Sequence, residues 1–188
     1  MVMPAMGSEV TTVDELFALP EDGMRHELLA GQHVVTPSPA FVHQWILGKL
    51  FGSLLSYLEG VPGFYVMTSP ADIRFGPDTL VQPDLFVFQT SSETLPIDWS
   101  AVGTPVLAIE ILSPSTASRD RGKKRELYQQ AGVAEYWVVA PDARLIERWR
   151  PEDDRPEVLR EELVWEPEES AGARLVISVP ALFPSVPG

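Results

Sequence analysis

The stretch Pro105-Val-Leu-Ala-Ile-Glu-Ile-Leu112 sets the architecture of this chain. It is apolar at nearly every position, the pattern of a strand covered on both faces, and its length suits one interior strand. Glu110 interrupts it. Burying a lone carboxylate costs several kcal/mol unless it is protonated, paired or bound to a metal, so this residue needs a partner. The plainer reading is a salt bridge to a basic residue on the next helix, with Arg119 in reach. The functional reading is a metal ligand.

On either side lie further elements. Leu80 to Phe88 reads as a strand interrupted by Pro83, with Asp84 heading its apolar half Leu-Phe-Val-Phe88. Phe64 to Phe75 reads as a strand broken near Ser69-Pro70. Downstream, residues 118–131 form a polar helix ended by Gly132, and Glu135 to Ala140 with Arg144 to Arg150 make a hairpin around Pro141-Asp142-Ala143. Upstream, Thr12-Val-Asp-Glu15 has capping-box spacing and opens a short helix. Arg25-His-Glu-Leu-Leu29, Ala30-Gly31 and Gln32-His-Val-Val-Thr36 read as a hairpin. Ser38-Pro39 reads as an N-cap followed by proline at the first helical position. Leu47, Leu50, Phe51, Leu54 and Leu58 then recur at helical spacing up to Gly60. After an acidic loop, Leu175 to Val179 gives a last strand before a proline-rich tail. Strands interspersed with helices imply an α/β (α+β) domain: one mixed central sheet flanked by helices. The 188 residues fit a single domain, with a core over about residues 13–150 and an acidic C-terminal part over 151–188.

Composition narrows the chemistry. With no cysteine, disulfides and thiolate metal sites are excluded, and a metal must sit on oxygen or on His26, His33 or His43. Residues 1–9 show no basic cluster followed by an apolar run, and no stretch approaches the ~20 apolar residues of a membrane span. The chain is therefore expected to be cytoplasmic. Its formal net charge of −13 argues against general polyanion binding, since the summed field repels phosphate. Yet five of the 14 basic residues fall in Arg119-Asp-Arg-Gly-Lys-Lys-Arg125, so Arg119, Arg121, Lys123 and Arg125 form a candidate local patch for a nucleic-acid backbone. The plainer alternative is a solvated helix face.

Asp84 and Glu110 on neighbouring strands would make a hard oxygen site suited to Mg²⁺ or Mn²⁺. Asp120, Lys124 and Tyr128 recur at i, i+4 and i+8 and share a helix face, as either site residues or an ion-pair stripe. Glu27 is a possible third metal carboxylate or a solvent-facing hairpin residue. His43 reads as a hydrogen-bonder at the start of the long helix more readily than as a ligand. Tyr136 and Trp137 read as core aromatics rather than as a base-stacking platform.

Residues 81–140 resemble a large, mostly uncharacterised bacterial family grouped with the restriction endonucleases in the PD-(D/E)XK nuclease superfamily. The resemblance is carried by Pro83-Asp84, Ile109-Glu110-Ile111-Leu112-Ser113-Pro114-Ser115-Thr116, Asp120, Lys124, Tyr128 and Gly132-Val-Ala-Glu-Tyr-Trp-Val-Val139. Glu27 with Gly31, and His43, match more loosely. The resemblance implies a restriction-endonuclease-like fold and a metal-dependent nuclease acting on DNA, with homodimers as a further implication. It implies Mg²⁺ or Mn²⁺ on Asp84, Glu110 and the carbonyl of Ile111, with Asp84, Glu110 and a lysine catalytic. One departure stands out. Alternation puts residues 110 and 112 on one face, so the motif lysine belongs at 112, where this chain has Leu112. In the family the lysine is drawn from the following helix, and Lys124 matches. A nucleic-acid-binding module without catalysis, and an acidic interaction domain with structural carboxylates, remain as alternatives.

Overall fold

The computed structural model describes residues 10–91, 95–168, 170, 172 and 174–184. The leader reading of residues 1–9 falls outside them.

The apolar stretch around Glu110 is strand β7 (Leu107–Ile111), buried at every position. It lies inside a six-stranded sheet ordered β10 (Glu157–Leu159), β9 (Leu145–Trp149), β8 (Glu135–Ala140), β7, β6 (Leu85–Gln89) and β3 (Phe64–Thr68). The β7–β8 pair is parallel and the others are antiparallel, so the sheet is mixed. Asp84 immediately precedes β6, the neighbour of β7.

Alternation along β7 sorts its side chains. Leu107, Ile109 and Ile111 join Val87, Trp137 and Val139 under the long helix α2 (Phe41–Leu58). That helix contributes Ile46, Leu50, Leu54 and Leu58, an apolar stripe worth about 1.5–3 kcal/mol per fully buried side chain. Ala108 and Leu112 face the other way, among Phe86, Tyr128, Tyr136 and Val138. Tyr136 and Trp137 are thus both core residues, on opposite faces of β8.

This second face is covered by something the sequence did not reveal as separate. A four-stranded antiparallel sheet orders β2 (Gln32–Thr36), β1 (Arg25–Leu29), β5 (Thr79–Val81) and β4 (Ile73–Gly76). The interruptions at Ser69-Pro70 and Pro83 are where the chain crosses between sheets, and a proline there removes no ladder donor. The expected hairpin is present, its turn made by Ala30 and Gly31 at φ of 47° and 76°. Helix α1 (Val13–Phe17), closed at its start by the Thr12–Glu15 capping box, packs Val13 and Leu16 on Leu28 and Leu80.

The expected mixed central sheet flanked by helices is present, with two smaller sheets beside it among the described residues. Two expectations are corrected. Helix α2 begins at Phe41 with Ala40 as N-cap and no side-chain cap, so Ser38-Pro39 belongs to the approach rather than the first turn. The acidic stretch after Trp149 is not simply a loop. It contributes β10 to the main sheet and pairs β11 (Glu162–Trp165) with β12 (Leu175–Ser178), whose Leu163, Trp165 and Ile177 enter the α2-side core.

The segment after β7 is helical from α3 (Ala117–Arg119) through a π turn (Asp120–Lys124) into α4 (Arg125–Gln130), ending at Gly132 with φ 78°. It is not polar all round. Asp120, Lys124 and Tyr128 are its buried positions, pointed at β7. A widened turn inside a helix is often found at functional sites.

Candidate active site

Four carboxylates converge between the two sheets. Glu110 comes from β7, Asp84 from the crossing before β6, Glu27 from β1 and Asp120 from the π turn; none exceeds 2% exposure. The hairpin reading of Glu27 as solvent-facing is therefore corrected. On β1, residues 25, 27 and 29 share a face, and Leu29 shows that this face meets the main sheet.

Lys124 is the hub. Its Nζ lies 2.7 Å from Glu27 Oε1 and contacts Glu110 Oε1, and the side chain is wholly buried. The basic partner of Glu110 on the next helix is thus Lys124 and not Arg119. Leu112 occupies the same face as Glu110, and the ammonium missing from that position arrives from the helix instead. Tyr128 Oη donates to Glu110 Oε1 at 3.0 Å, and Tyr136 Oη donates to the backbone carbonyl of Asp120 at 3.0 Å. All three members of the i, i+4, i+8 set are therefore turned inward, and only Lys124 and Tyr128 touch Glu110 directly. Glu27 Oε1 also accepts from the Gln82 backbone N–H at 2.8 Å, while Glu27 Oε2 is buried without a hydrogen-bond partner.

Asp84 is held differently. Its Oδ2 accepts from the Ile111 backbone N–H at 2.8 Å and contacts His43 Nε2 at 2.9 Å; its Oδ1 accepts from Arg25 Nη1 at 2.7 Å. His43 thus acts on Asp84 from the first turn of α2. Arg25 was missed at the sequence level. Its signal was present, since it precedes Glu27 by two residues on a strand and shares that residue's face.

Electrostatics separates the acids. Burial alone would raise Asp84, but the His43 hydrogen bond, the Arg25 guanidinium and the Ile111 amide hold it well below the usual carboxylate range. Burial pushes Glu110 up to about 8, reinforced by Asp84, Asp120 and Glu27 and opposed by Lys124. Burial also raises Asp120. Lys124 stays charged despite its burial, since Glu110, Glu27 and Asp120 raise it above its ordinary value.

A cleft of about 840 Å³ opens onto this cluster, lined by Arg25, Thr36, His43, Asp84, Glu110 and Asp120 among others. Lys124 and Glu27 sit one layer behind its wall. The basic run 119–125 does not form one stripe. Lys124 is buried; Arg119 turns inward, 3.2 Å from Thr36 Oγ1 and 3.8 Å from Glu27 Oε2. Arg121 forks onto Glu147 at 2.7 and 2.9 Å, and Arg125 lies over the Trp149 ring and donates to Gln129 Oε1. Among the described residues Lys123 reaches only Gln32 Oε1, at 3.4 Å. His26 and His33, the other possible imidazole ligands, stack on each other on the hairpin, with His26 also bonded to Asp22.

The donor set is hard oxygen, which suits Mg²⁺ or Mn²⁺, and Glu27 Oε2 is a buried acceptor without a hydrogen bond, with Arg119 and Arg25 standing 3.8 and 4.0 Å from it. Among the described residues no three His, Asp or Glu side chains stand around a common point as ligands, since Lys124 and Arg25 lie between them. Mg²⁺ commonly uses only one or two carboxylates and keeps its waters, so Asp84 and Glu110 at the cleft wall are the pair that could hold one.

A mixed sheet with carboxylates at adjacent strands, and a cleft above them, defines a protein of the restriction-endonuclease-like, nuclease-type fold. A model of the Uma2 family, whose description reads "Putative restriction endonuclease", matches residues 13–180, and the chain belongs to that family. The match extends through the acidic tail. The chain is also similar to a crystal structure described as a putative nuclease belonging to DUF820 from Anabaena variabilis. The TM-score is 0.76 at 26% identity, over 92% of this chain and 97% of that one. No curated protein matches.

Proposed function

We propose that the protein is a metal-dependent phosphodiesterase acting on nucleic acid, with DNA as substrate. Asp84 and Glu110 would hold Mg²⁺ or Mn²⁺, helped by the Ile111 carbonyl. A bound ion would supply an activated water and offset charge on the phosphoryl oxygens. Lys124, one layer behind the cleft wall, would counter developing negative charge through its contact with Glu110, in the place of a lysine at Leu112. Tyr128 keeps Glu110 in position, Asp120 adds a negative charge near the ammonium, and Glu27 shares that ammonium. The observation carrying this reading is the contact of Lys124 with Glu110, delivered from the π turn beside a cleft walled by Asp84. Arg119, Arg121, Lys123 and Arg125, which diverge around the helix and do not line the cleft, would meet the substrate backbone separately. Homodimer formation is part of the same reading, and sedimentation measures it directly.

The test is incubation of supercoiled DNA with Mg²⁺ or Mn²⁺ beside an EDTA control, for the parent and Asp84→Asn. Nicked or linear product in the metal lane alone, lost in the variant, is the expected result. A second reading is favoured by one observation, that both oxygens of Asp84 already have protein partners. It is a nucleic-acid-binding module whose carboxylates make structural ion pairs, and DNA retention without cleavage would establish it.

A further inference from the structure

Arg25 carries an arrangement that the roles above leave unused. Of the two oxygens of Asp84, Oδ2 has its lone pairs occupied by the Ile111 N–H and His43 Nε2, while among the described residues Oδ1 accepts only from Arg25 Nη1 at 2.7 Å. A divalent ion on Asp84 therefore has to come to Oδ1. At an Mg²⁺–oxygen distance of ~2.1 Å it would lie within about 5 Å of the guanidinium, two positive centres on one oxygen.

The guanidinium is otherwise poorly bonded. Nη2 lies 4.0 Å from Glu27 Oε2, too far for a hydrogen bond, and Nε is buried with no partner. A planar fork with spare donors, lining a cleft that also holds the carboxylates, is suited to a phosphate oxygen pair. An arginine needed only as a structural counter-ion would be expected to use more of its donors.

We infer that Arg25 is a two-place cation: it competes with a divalent ion for Asp84 Oδ1, and once displaced it binds a substrate phosphate through its free donors. This rests on the metal-site reading above. It makes ion binding and phosphate binding mutually supportive through one side chain, because the ion releases the donors that the phosphate needs.

The experiment titrates Mn²⁺ alone against the full chain, reading the free ion by electron paramagnetic resonance, for the parent, Arg25→Gln and Arg25→Lys. Arg25→Gln removes the competitor and is expected to bind Mn²⁺ about tenfold more tightly at unchanged stoichiometry. Arg25→Lys keeps a cation and should stay near the parent. A second arm adds inorganic phosphate at saturating Mn²⁺ and follows thermal unfolding. Phosphate should raise the parent's melting temperature and do so far less in either variant.

Equal or weaker Mn²⁺ binding by Arg25→Gln overturns the inference, because the guanidinium would then position Asp84 rather than compete at it. If the parent binds no Mn²⁺ but Arg25→Gln does, the inference stands and the metal-dependent nuclease reading falls. If neither binds, both fall. Should Arg25→Gln not fold, Arg25→Lys decides through the phosphate arm, where a parent-like response overturns the inference.

Discussion

Lys124 Nζ stands 2.7 Å from Glu27 Oε1 while also contacting Glu110, so a single buried ammonium joins the small sheet to the central strand of the large one. A charge at that depth is tolerated only with compensation, and the two carboxylates provide it. The same arrangement makes Lys124 the residue on which structure and chemistry can be separated by experiment.

Lys124→Ala is expected to lower the cleavage rate ~10²-fold or more, the scale for removing one positioned charge stabiliser. It also strands Glu27 and Glu110, which breaks a buried pair at a cost of about 3–5 kcal/mol. Single-turnover rates must therefore be read at a temperature where circular dichroism reports a folded variant. Lys123→Ala, whose ammonium reaches only Gln32, should weaken binding instead, and less so at high salt. Equal small effects from both would show that neither lysine acts in the reaction.

Mg²⁺ or Mn²⁺ should raise the melting temperature of the parent through linkage, by the equivalent of about 2.7 kcal/mol at a hundred times the dissociation constant. Glu110→Gln should remove most of that rise while the domain remains folded. An equal response in variant and parent would mean that the ions bind elsewhere on this acidic surface.

In EDTA, Glu110 gives a distinctive pH signature. Its folded value, pushed up to about 8, exceeds its ordinary 4.5. Between these values the folded state binds the extra proton, so the stability contributed by Glu110 declines as pH rises through the window and is flat above it. Its limiting slope is about 1.4 kcal/mol per pH unit. Asp84 lies below its ordinary value and contributes its change in acid, outside this range. Urea unfolding from pH 5 to 8.5 should therefore show Glu110→Gln gaining on the parent as pH rises. A constant difference would place the extra proton on another group.

Charge reversal at Arg121 and Lys123 together should reduce nucleic-acid affinity at low salt with little effect on the fold, since both lie outside the core. The salt slope of binding should fall by about one for each phosphate no longer neutralised. Unchanged affinity would reduce this part of the run to the Glu147 ion pair already formed by Arg121.

Much of the site was legible because a buried strand advertises itself. Glu110 stood out against its apolar neighbours, and the alternation that assigned Leu112 to its face also identified which lysine was missing. The shared face of Asp120, Lys124 and Tyr128 came from helical spacing. What spacing does not encode is which sheet a strand joins. Ile73 to Gly76 and Thr79 to Val81 have ordinary strand patterns, and only tertiary pairing sends them to β1 rather than to β3 and β6. For the same reason spacing left Glu27 open between a metal carboxylate and a solvent-facing hairpin residue, and Arg25 attracted no notice. The basic run misled in the opposite direction, since its residues are contiguous in sequence but diverge around a helix.

The π turn between Asp120 and Lys124 has a consequence for how this segment can vary. Gly122, within it, has nothing within 4 Å of an added Cβ, so its identity is under little steric demand. The number of residues is another matter. Adding one residue would rotate the downstream residues by ~100°, carrying Tyr128 and the whole of α4 out of phase with β7, whereas removing one would let the widened turn close to ordinary helical pitch with α4 near its present phase. The segment should therefore tolerate exchange of the residue at Gly122, or loss of one residue, far more readily than an insertion.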